Sequence, residues 1–208
     1  MKTLLIITGP QGSGNHLWSK IFALHPDVYG WHALLHNYWI GHDQEPFADC
    51  WADPEKLKEF DWGECKYFVT SVSVPYMLNG ERTKPNIVRF AATAMGLGIR
   101  VKIAIIGRDR NILNYQETRI RGEPTFDIAL AEYEKLTTWN PVFLSYELLH
   151  LYGKNYLQQI SHQLEFPIDY SSTQLANILQ DDTNSKYFQP VTHHPTDDLA
   201  RHTSRKWR

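Results

Sequence analysis

Apolar positions recur along this chain in two rhythms. Thr3 to Thr8 is a continuous apolar run rich in branched side chains. A run of that length, apolar on both faces, is how a parallel strand buried between helices reads. Gly9, Gly12 and Gly14 follow, and then Leu17, Trp18, Ile21, Phe22 and Leu24 recur at helical spacing until His25-Pro26 stops the pattern. The same alternation continues downstream. Lys66 to Ser73 is a second buried strand closed by Pro75, Asn86 to Leu97 is helical, and Val101 to Ile106 is a third strand. Residues 111 to 121 and Thr125 to Trp139 are helical, the latter with Phe126, Ala129, Leu130, Tyr133 and Leu136 on one face. Pro141 to Tyr146 is a fourth strand, Tyr152 to Phe166 a helix, and Ser172 to Leu179 a short helix capped by Ser172.

Residues 27 to 65 are less regular. Trp31 to Ile40 suits a short helix, Gly41 to Pro54 a loop, and Pro54 to Phe60 a short helix with proline in its first turn. Strands alternating with helices predict an α/β fold with a mainly parallel sheet. The chain is expected to form a single domain over residues 1–208, with a polar tail from about residue 181.

Composition narrows the function. The net charge of −2 gives no global attraction to nucleic acid or to an acidic membrane, so any anion site is local. Cys50 and Cys65 form neither a disulfide framework nor a zinc motif, and read as reduced thiols. The opening apolar run is too short for a signal peptide and no stretch reaches membrane-span length, so the expected location is cytoplasmic.

In such sheets ligands sit at the carboxyl ends of the strands. Three features fall there: the loop at 9–16, Ser71 to Pro75, and Arg108 to Asn111. The loop reads GPQGSGNH. A helix N-terminus offers unpaired N–H groups and partial positive charge, and glycine lets the backbone wrap an anion closely. A kinase loop would add Lys and then Ser or Thr for magnesium; here Asn15 and His16 stand at those places. A metal-free sulfuryl donor suits the loop better than a magnesium–nucleotide.

These motifs resemble those of sulfotransferases that use 3′-phosphoadenosine 5′-phosphosulfate (PAPS). P-Q-G-S-G-N-H-L-W is similar to the family loop P-[RK]-S-G-T-T-[LW], and the following helix likewise ends near His-Pro. Ser13 and Gly14 match Ser-Gly, Asn15 and His16 stand for Thr-Thr, and Gly12 stands where Lys or Arg is usual. KIAIIGRDRNILNYQ resembles the family's strand, Arg-Asp/Asn-Pro and helix, with Arg110 in place of the proline. Tyr146 and Glu147 match a Tyr-Glu motif read as structural. The likeness runs in order to about residue 170.

The resemblance implies a three-layer sandwich of the P-loop NTPase type and a sulfotransferase acting on a small-molecule or carbohydrate acceptor, with PAPS as donor and no metal. It implies that Gly12, Ser13, Gly14, Asn15 and His16 cradle the donor. Arg108 would hold its 3′-phosphate, Asn114 or Tyr115 standing nearest to the family's serine. Arg205, with Arg201, Lys206 and Arg208, would close over it. The other role open to Arg108 is an ion pair with Asp109 or Glu117.

Transfer to a hydroxyl or amine needs a base near neutral pKa. His32 and His36, four apart, come first; Glu45 follows, and His16 completes the candidates. His32 and His36 also have the spacing of a metal pair, with no third ligand evident. Two other readings stand beside the enzyme: a kinase taking its lysine from Lys20 or Lys102, and a non-catalytic nucleotide-binding module.

Overall fold

A computed structural model describes residues 1–37, 40–78, 80–121, 125–181 and 184. Five parallel strands form the central sheet in the order β2-β3-β1-β6-β7. They are β1 (Thr3–Pro10), β2 (Val28–Tyr29), β3 (Tyr67–Val74), β6 (Arg100–Gly107) and β7 (Val142–Ser145). A two-stranded antiparallel ribbon, β4 (Tyr76–Leu78) and β5 (Glu81–Thr83), follows Pro75. The helices are α1 (Asn15–Ala23), α2 (Ala48–Ala52), α3 (Ile87–Gly96), α4 (Arg110–Arg121), α5 (Phe126–Leu136), α6 (Tyr146–Leu164) and α7 (Thr173–Gln180).

The central strand shows why the sheet is covered on both sides. Successive residues of a strand point to opposite faces. Leu4 and Ile6 enter one core with Trp51 of α2, Phe90 of α3 and Leu136 of α5. Leu5 and Ile7 enter the other with Trp18 and Phe22 of α1, Leu157 of α6 and Leu175 of α7. Burying each such side chain stabilises by about 1.5–3 kcal/mol. The chain is thus the expected three-layer α/β sandwich.

Several elements differ from the sequence reading. The stretch 41–54 holds a 3₁₀ turn, His42–Gln44, and the helix α2. The segment read as a helix from Trp31 is a 3₁₀ turn over His32–Leu35; residues 38 and 39 lie outside the described residues. Helix α6 starts at Tyr146 rather than Tyr152, because Ser145 caps it by accepting from the Leu148 amide. Gly153 interrupts it with non-helical angles (φ 52°, ψ −125°), which hides its first half from a periodicity reading.

The strand register fixes the site. Gly9 and Pro10 lie opposite Ser73 and Val74 of β3, and Thr8 lies opposite Ile105 of β6. The glycine loop, the end of β3 and the Arg108 corner therefore share one edge of the sheet.

Candidate functional site

The loop between β1 and α1 is shaped by two glycines. Gly12 has φ 82° and Gly14 φ 109°, values that cost an ordinary residue about 1–2 kcal/mol. Gly12 is also crowded. A Cβ there would lie 2.5 Å from Oε1 of Gln116, a buried residue of α4. This chain has a physical reason for lacking a basic residue at that place. Gly14 is the N-cap of α1, where no side chain among the described residues caps the helix and no acidic residue occupies the first turn. An anion is the natural complement of such an end.

The cation comes from elsewhere. Arg108 follows β6, donates from Nη1 to the Gly12 carbonyl at 2.6 Å, and lies 3.4 Å from Gln116 Oε1. Its Nη2 donates to Asn184 Oδ1, and its guanidinium sits 4.3 Å from the centre of the Tyr146 ring. The acids proposed as its partners are engaged otherwise. Asp109 Oδ1 caps α4, accepting from the amides of Asn111 at 2.9 Å and Ile112 at 3.0 Å. Glu117 is fully buried and accepts from the Thr125 amide and hydroxyl. Glu147 accepts from the Asp109 amide at 3.0 Å, which ties the Arg108 corner to the start of α6.

The other loop residues turn inward. Ser13 is fully buried, and its amide donates to the Pro10 carbonyl at 3.1 Å. The Asn15 amide nitrogen lies 3.5 Å from the carbonyls of Gly9 and Pro10 and from Ser13 Oγ. Both side chains thus brace the loop. On α4, Asn114 is half-buried and Tyr115 exposed. Arg205 and the other basic tail residues lie outside the described residues.

The histidines are arranged differently from the sequence expectation. His32 and His36 do not share a helical face, because the 3₁₀ turn ends between them. His32 Nε2 lies 2.9 Å from the Val28 carbonyl, so that nitrogen is committed as a donor, and His36 is exposed. Neither ring makes a hydrogen bond or ring contact with the loop, His16 or His42 among the described residues. His16, in the first turn of α1, instead meets His42, which the sequence reading did not single out: their Nε2 atoms are 3.2 Å apart. Trp31 is buried against both rings, at 4.8 and 5.4 Å between centroids. Burial, then the neighbouring His16, lowers the His42 pKa to about 4, against a smaller opposing pull from Asp43. His42 is therefore neutral at physiological pH and carries a lone pair.

Glu45 lies under the same segment. It is buried, and accepts from the Thr70 hydroxyl at 2.6 Å and the Phe47 amide at 2.9 Å. Burial outweighs these bonds and raises its pKa to about 8. At neutral pH it is a carboxylic acid.

No family model matches this chain, and no curated protein matches it. Among solved structures it is similar to the mouse sulfotransferase SULT7A1 complexed with PAP. The identity is 16%, the match covers 94% of this chain and 70% of that one, and the TM-score is 0.47. The roles of this chain's residues rest on its own geometry. No helix among the described residues is long and apolar enough to cross a membrane.

Proposed function

We propose that the chain is a sulfotransferase that moves a sulfuryl group from PAPS to a hydroxyl or amine. The observation that carries this reading is the Arg108 guanidinium on the Gly12 carbonyl, 2.6 Å away, at the uncapped start of α1. Backbone amides and one guanidinium are a donor set for phosphate and sulfate oxygens. The loop offers no lysine, and Ser13 and Asn15 are turned into the loop itself, so little supports a magnesium–triphosphate there. The residues present fit a doubly phosphorylated nucleotide, with loop amides at one phosphate and Arg108 at the other.

When bound, the donor supplies an activated sulfuryl group on a phosphosulfate. This chain's part is electrostatic and acid–base. The α1 amides take up the negative charge left on the departing phosphate, a preorganised contribution that needs no rearrangement during reaction, while Arg108 holds the 3′-phosphate. The acceptor's O–H or N–H proton passes to a lone pair of the His42 ring, with His16 as the relay partner at 3.2 Å. Trp31 packs against both rings.

A binding module without turnover is the second reading. It is favoured by the donors Arg108 already spends on Gly12 and Asn184. Incubation with sulfur-labelled PAPS and a panel of alcohols, phenols, amines and sugars separates the two. Labelled product that disappears in His42→Gln supports the enzyme. Donor binding with no product from any acceptor supports the module.

A further inference from the structure

An arginine holds a phosphate best through two adjacent N–H groups that donate in parallel to two oxygens. The guanidinium offers two such forks, Nη1 with Nη2 and Nε with Nη2, and both need Nη2. In Arg108 the other end is committed to the fold. Nη1 donates to the Gly12 carbonyl at 2.6 Å, with Gln116 Oε1 at 3.4 Å. The guanidinium lies against the Tyr146 ring, 4.3 Å from its centre. Nη2 is therefore the donor on which a two-point grip of phosphate depends.

That donor is where the chain places Asn184. Its Oδ1 accepts from Nη2, and the residue is 4% exposed. Asn184 lies beyond the end of α7 at Gln180, 76 residues from Arg108 in sequence. A carboxamide oxygen accepts as a phosphate oxygen does, but carries no charge. Hydrogen bonds from a guanidinium to an anionic oxygen are the stronger kind. Asn184 Oδ1 thus stands where a phosphate oxygen would bind better.

We propose that Asn184 is an intramolecular competitor for the anion seat at Arg108, holding Nη2 until a nucleotide 3′-phosphate takes its place. The proposal rests on the sulfotransferase reading above. It makes donor affinity adjustable from the stretch after α7, because whatever steadies Asn184 on Arg108 weakens donor binding. It also sharpens selection. A nucleotide without a 3′-phosphate has nothing to put in place of Asn184 and leaves it on the guanidinium.

The test titrates PAP and adenosine 5′-phosphate into wild type, Asn184→Ala and Asn184→Asp, and melts each protein with and without PAP. Asn184→Ala binds PAP about threefold more tightly or better, and adenosine 5′-phosphate as wild type does. Asn184→Asp puts a carboxylate on Arg108 and binds PAP about tenfold more weakly or worse. Without PAP, Asn184→Ala melts below wild type, yet it gains more from saturating PAP. A merely structural role gives the opposite pairing, a lower melting temperature with weaker PAP binding. That pairing, equal PAP affinity in wild type and Asn184→Ala, or equal tightening of both nucleotides overturns the proposal and leaves the Arg108 site standing. Failure of PAP to bind wild type overturns the transfer reading, and this proposal with it.

Discussion

Arg108 reaches back 96 residues to donate a hydrogen bond to the carbonyl of Gly12 at 2.6 Å. That bond joins the end of β6 to the glycine loop after β1 and brings a fixed cation to a loop that has no basic residue of its own. Gln116 completes the arrangement by filling the space a side chain at position 12 would need.

Gly12→Lys tests whether the loop has simply lost a residue. The substitution forces a side chain into φ 82° and against Gln116. It is expected to destabilise the fold by about 1–2 kcal/mol and to weaken nucleotide binding. Thermal melts and a PAP titration measure both. An unchanged melting temperature with tighter PAP binding would mean that the loop geometry described above is wrong.

Glu147→Ala tests the support of the Arg108 corner. It removes the acceptor of the Asp109 amide and the partner of Ser145 Oγ. PAP affinity should fall by about 1–3 kcal/mol, the scale of a hydrogen bond to a charged group. The circular dichroism spectrum should stay unaltered. Wild-type affinity in the variant would detach Glu147 from the site.

Glu45 makes stability depend on pH. Its pKa is about 8 in the fold and 4.5 as an ordinary glutamate, so the folded state holds its proton more tightly. Its contribution is full below about 4.5 and is lost as pH rises towards and through about 8. Urea unfolding across that window should show wild type losing stability with rising pH while Glu45→Gln stays flatter. Parallel curves would mean that the carboxyl is already ionised in the fold.

His42 acts at the other end of the scale. Its pKa is about 4 in the fold against 6.5 ordinarily, so the unfolded chain takes the proton first. Stability is full above about 6.5 and falls as pH drops through about 4. If His42 is the base, the acid limb of kcat also lies near that lower value, well below a free imidazole's. An imidazole titration by NMR that gives an ordinary histidine pKa would contradict both expectations.

The frame was legible because buried parallel strands are continuous apolar runs: β1, β3 and β6 were each found to within two residues of their ends. The Ser172 cap and the Arg108 position followed from local chemistry of the same kind. The two-residue β2 and the β4–β5 ribbon were not legible, being too short to carry a period. The histidine pair was hidden for a different reason. His16 and His42 meet only because α1 and the 42–44 turn pack against Trp31, a tertiary contact with no local signature. The spacing of His32 and His36 misled because it assumes 3.6 residues per turn, and the backbone there is a 3₁₀ turn.

The most direct measurement is a calorimetric titration of PAP, and separately of magnesium–ATP, into wild type and Arg108→Ala. The account predicts that PAP binds wild type, that magnesium–ATP binds much more weakly, and that Arg108→Ala costs PAP about 1.5–3 kcal/mol. Equal affinity of wild type and Arg108→Ala for PAP, or preference for magnesium–ATP, would contradict it.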